Sequence, residues 1–83
     1  MLGGAYTYET VESVTTAALA ATGTTVSNEN FSRAWSAVLK VTDGVQGVAP
    51  MDVMSCVANT MSDSGFDFPE AAALCATMLH SGG

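Results

Sequence analysis

Apolar residues recur along this chain at the three- and four-residue spacing of amphipathic helices, in four segments separated by glycine and proline. Gly23 makes the first break, Gly44 and Gly47 with Pro50 the second, and Gly65 with Pro69 the third. The pattern predicts helices over Tyr8–Ala21, Asn28–Val41, Pro50–Asp63 and Phe68–His80.

In the first segment Val11, Val14, Ala18 and Ala21 share one face, while Glu9, Glu12, Ser13 and Thr16 share the other. Thr7 can cap its start, the acids suit the positive end of the helix dipole, and Gly23 can close it. Threonine and valine lose rotamer freedom in helices, so a strand over residues 6–14 is the alternative.

The second segment repeats Phe31, Ala34, Trp35, Val38 and Leu39 on one side. Ser27 or Asn28 offers an N-cap oxygen, and Lys40 sits in the last turn, where the carbonyl end favours a cation. Phe31 and Trp35 are the expected core anchors, and truncating either to Ala is expected to cost about 3–5 kcal/mol.

Pro50 suits the first position of the third helix because its missing N–H has no partner there anyway. Asp52, Ser55, Asn59, Ser62 and Asp63 form a narrow polar arc. Met51, Val53, Met54, Val57, Ala58 and Met61 fill the opposite side, a face wide enough for two neighbours.

The fourth segment opens with Asp67-Phe68-Pro69-Glu70, a capping-box arrangement with Phe66 placed to staple against Ala71. Phe68, Ala71, Ala72, Cys75, Met78 and Leu79 form its apolar stripe, while Leu74 falls on the solvent side with Glu70 and Thr77. Only Ser64 to Asp67 separate the last two helices, which are therefore expected to pair as an antiparallel hairpin. The expected fold is all-α, a compact bundle of four short helices making one domain over residues 1–83.

Charge narrows the function. Arg33 and Lys40 are the only basic residues against eight carboxylates, a net charge of −6. Nucleic acid and anionic membrane both require Lys and Arg, so neither is an expected partner, and acidic partners are disfavoured as well. A hydrophobic fraction of 48% with 12% charged residues is high for so small a domain, which points to apolar surface left over for a partner or a second copy. The N-terminus shows no basic, apolar leader pattern, and the Ala-rich stretch from Val14 to Ala21 is too short to span a bilayer. A cytoplasmic location follows as an expectation, and with it two reduced cysteines and no use for the Asn30-Phe31-Ser32 sequon.

Candidate chemistry is sparse. His80, the only histidine, lies on the polar side of the fourth helix, whereas Cys75 projects into the apolar stripe, so the two do not form a nucleophile–base pair. Cys56 falls at the boundary of the polar arc beside Asp52 and Asn59, where acid would raise rather than lower its pKa. Its helical phase disfavours a disulfide to Cys75, and both thiols are expected to be free, Cys75 the less accessible.

Two cysteines nineteen residues apart and one histidine make no zinc spacing. Asp63, Asp67 and Glu70 surround a loop, but counting Asp63 as the first calcium ligand puts Phe68 where an EF-hand needs glycine. Gly44-Val45-Gln46-Gly47 lacks the lysine and the spacing of a phosphate loop.

No cofactor is expected. The methionines carry the remaining signal, because flexible thioethers suit surfaces that accept an apolar helix. The sequence therefore points to a non-enzymatic interaction or regulatory module. It would bind a protein partner, or itself as a homo-oligomer, through Met51, Met54, Met61, Leu74 and Met78 on the third and fourth helices. The alternatives are that the methionines fill the core, or that they line a pocket for a small apolar ligand.

Overall fold

The computed structural model describes residues 8–82 and contains four helices and no strand among them. These are α1 (Tyr8–Ala21), α2 (Asn28–Thr42), α3 (Pro50–Thr60) and α4 (Phe68–Gly82). The strand considered for residues 6–14 is absent over residues 8–14, which are helical, while Thr7 and its expected cap lie outside the described residues.

Local chemistry sets the helix ends. At the close of α1, Gly23 takes φ +69°, the Thr24 amide donates to the Leu19 carbonyl at 2.8 Å, and the Gly23 amide donates to Ala20 at 3.1 Å. This is a Schellman closure, and its left-handed residue strains any side chain bearing a Cβ. Ser27 caps α2 by accepting from the Asn30 amide at 3.1 Å.

Helix α3 stops at Thr60, three residues before the predicted end. Ser64 draws the chain into a turn there: its amide and hydroxyl both donate to the Met61 carbonyl, at 3.2 and 2.7 Å, and Asp63 takes φ +63°. Asp67 caps α4, accepting from the Glu70 amide at 3.1 Å, which is half of the predicted capping box.

Around the bundle the neighbours run α1, α3, α4, α2 and back to α1, with α1 against α3 the most extensive pairing and α2 touching α3 across the middle. The hairpin of α3 and α4 is therefore a true packing pair. Leu19, Val38, Val53, Met54 and Val57 are the large side chains at the centre, each almost or wholly excluded from solvent. Burying such a side chain contributes about 1.5–3 kcal/mol.

Three expectations about burial are corrected. Phe31 and Trp35 are partly buried at the rim of the core, because the inward line of α2 runs through Ala34, Val38 and Thr42. Leu39 lies at the edge of that stripe and is 54% exposed. On α4 the inward line runs through Phe68, Ala71, Ala72, Cys75 and Ala76, which turns Met78 outward.

The expected pair of free thiols is also corrected: Cys56 and Cys75 form a disulfide that ties α3 to α4. A helical wheel places Cys56 at the border of the polar arc, but α4 packs along that border. The two Cα atoms sit 5.9 Å apart, within the span a disulfide bridges. Thr60 lies beside the bond, its hydroxyl 3.2 Å from the Cys56 sulfur and 3.8 Å from the Cys75 sulfur.

Candidate functional site

The outer face of α4 carries two of the five large apolar side chains that are exposed among the described residues. Because Phe68, Ala71, Ala72, Cys75 and Ala76 point into the bundle, Ala73, Leu74, Thr77 and Met78 point away from it. Leu74 and Met78 are four residues apart and so stack one turn above the other on the same side of the helix. They are 39% and 47% exposed. Between Glu70 and the end of α4 the only titratable side chain is His80, so the strip is nearly uncharged in a strongly acidic chain. The Thr77 hydroxyl donates back to the Ala73 carbonyl at 3.0 Å and is already engaged within the helix.

Of the five side chains expected from sequence to form an interaction surface, only Leu74 and Met78 are exposed. Met54 is fully buried, and Met51 and Met61 are each 7% exposed. The breadth of the apolar face of α3, which suggested spare surface, is taken up by contacts with α1, α4 and α2. These three methionines are core residues. Ala73 and Thr77 complete the exposed strip, and their position opposite Phe68, Ala72 and Cys75 on the helical repeat is the signal that could have found them.

The remaining candidate chemistry does not converge. His80 is exposed, Cys75 is buried in its disulfide, and Asp67 is occupied in capping α4. Among the described residues no three His, Cys, Asp or Glu side chains gather where they could share an ion. Arg33 pairs with Glu29 at 3.2 Å, both side chains largely in solvent, an arrangement that contributes little to stability.

A crevice of about 180 Å³ opens where the end of α1, the middle of α2 and the start of α4 meet. Leu19, Ala34, Ala37, Phe68 and Pro69 provide its apolar lining, with Arg33 at the edge. It contains no methionine, and neither do three other shallow depressions on the surface. No helix among the described residues is long and apolar enough to cross a membrane. No protein-family model, curated protein or solved structure matches this chain.

Proposed function

We propose that this chain is a non-enzymatic interaction module that docks a protein partner on the outer face of α4, with Leu74 and Met78 as the apolar contacts. The observation that carries this reading is the exposure of these two stacked side chains on a helix face almost free of charge. Exposed apolar side chains that stand alone are ordinary, whereas a stacked pair on one face resembles half of a helix-in-groove or helix-on-helix contact.

The partner best suited to the face presents an apolar helix and is not acidic, because a net charge of −6 repels acidic proteins at long range. Reduced cysteines were the corollary of the cytoplasmic location expected from sequence. A Cys56–Cys75 bond fits an oxidising compartment better.

A photo-crosslinker placed at Thr77 tests the reading. It is expected to form one defined adduct with the partner, and Leu74→Glu is expected to remove that adduct. Equal capture from a crosslinker at Asn59, an exposed position on α3, would show that α4 is not the docking face.

The apolar crevice supports a second reading, a site for a small apolar ligand. Its volume is comparable to the roughly 150 Å³ that accommodates benzene in an engineered cavity. Such a ligand would rest on Leu19, Ala34 and Phe68 rather than on methionines.

A further inference from the structure

The contacts that hold α4 are uneven. Its inward residues are Phe68, Ala71, Ala72, Cys75 and Ala76, with Leu79 partly buried. An alanine methyl contributes little transfer free energy, so between its ends the helix has only small side chains to bind it to the bundle. Its two strong attachments are the Phe68 ring, 5% exposed, and the covalent bond from Cys75. They are seven residues apart, two turns or about 10 Å along the axis, and so lie on the same face. The facing helix is different: α3 contributes Met51, Val53, Met54 and Val57, and it makes the most extensive helix pairing with α1, not with α4.

We infer that the Cys56–Cys75 disulfide is a redox-sensitive latch on α4, and that breaking it frees this helix to swing about its Phe68 anchor while α1 and α3, the most extensive helix pairing, stay assembled. Cys56 is partly exposed and Cys75 fully buried, so an incoming thiolate reaches the Cys56 sulfur. With a dithiol as reductant, its first sulfur bonds to Cys56 and the S–S bond breaks, leaving the electron pair on Cys75, which takes up a proton. The second sulfur of the dithiol then displaces Cys56 as a thiolate, which is protonated in turn. The reductant leaves as a cyclic disulfide, two electrons and two protons having passed to the protein.

Release of α4 uncovers the side of α3 that carries Cys56 and Thr60 and moves the Leu74–Met78 face away from the bundle. The inference concerns how α4 is attached, and it stands whether or not that face docks a partner.

Hydrogen exchange on the whole chain, with and without dithiothreitol, tests the latch, with reduction verified by the gain of two hydrogens in intact mass. Amides of residues 72–82 are expected to exchange roughly tenfold faster or more after reduction, while those of residues 15–19 and 53–57 keep their protection. The variant Cys56→Ala/Cys75→Ala, without reductant, is expected to show the same pattern. Unchanged protection in α4 after confirmed reduction would overturn the proposal, as would loss of protection in all four helices together, which would make the bond a support of the whole fold.

Discussion

The indole N–H of Trp35 donates to the Thr15 hydroxyl at 3.0 Å, and that hydroxyl donates in turn to the Val11 carbonyl at 2.6 Å. One buried oxygen thereby joins the side of α2 to the backbone of α1, and among the described residues no buried side-chain polar atom lacks a partner. A polar side chain on the inward face of α1 is stable because both its donor and its acceptor capacity are used.

Replacing Thr15 with Val keeps the shape and removes the acceptor, leaving the Trp35 N–H unpaired. The expected loss is about 1–2 kcal/mol, at the lower end of the cost of orphaning a donor because Trp35 is only partly buried. Urea denaturation of Thr15→Val, Trp35→Phe and the double variant should show a double loss smaller than the sum of the two single losses. Additive losses would mean that the bond contributes nothing to stability.

Helix number, helix type and all four starting residues were legible in the sequence, because periodicity, the caps at Ser27 and Asp67 and a proline at the first helical position are local properties. The burial of individual side chains was less so. Thr15 does not stand out as a core residue in the sequence, because its hydroxyl is satisfied by Trp35, twenty positions away, and no local pattern carries that information. Leu39, Met78 and Cys56 all sit at the edges of their helical stripes, where the angle of the neighbouring helix decides between solvent and contact. The helical phase gives the direction of Met51, Met54 and Met61, but direction alone does not say how many neighbours occupy a face.

The contrast between core and edge can be measured directly. Met54→Ala is expected to cost about 2–5 kcal/mol, since it opens a cavity at a fully buried position. Leu39→Ser, at a position 54% exposed, is expected to stay within about 0.5 kcal/mol of wild type. Thermal melts of the two variants in parallel check both values.

The disulfide closes a loop of nineteen residues in sequence separation, for which chain-entropy arguments give about 3 kcal/mol of stabilisation. Because that stabilisation acts on the attachment of α4, Cys56→Ala/Cys75→Ala is expected to lose part of its helical signal at a lower temperature than the main transition, which is carried by α1 and α3. One single transition moved down by about 12–24 °C, at about 4–8 °C per kcal/mol, would instead make the bond a support of the whole fold.

Gly23 is needed for its backbone. A Cβ built there meets no neighbouring atom, so the effect of Gly23→Ala comes from the left-handed φ of +69° and not from crowding. About 1 kcal/mol of destabilisation is expected, read as a lower urea midpoint with an unchanged slope.

The proposed docking surface is the outer face of α4, with the buried methionines of α3 playing no part in it. Isothermal titration of the partner captured through Thr77 into wild type and into Leu74→Glu/Met78→Glu, each first melted to confirm an equal transition, measures it most directly. The double variant is expected to fold with nearly unchanged melting temperature and to lose at least tenfold in affinity, a change of about 1.4 kcal/mol or more. Binding at wild-type affinity by the folded double variant would contradict it.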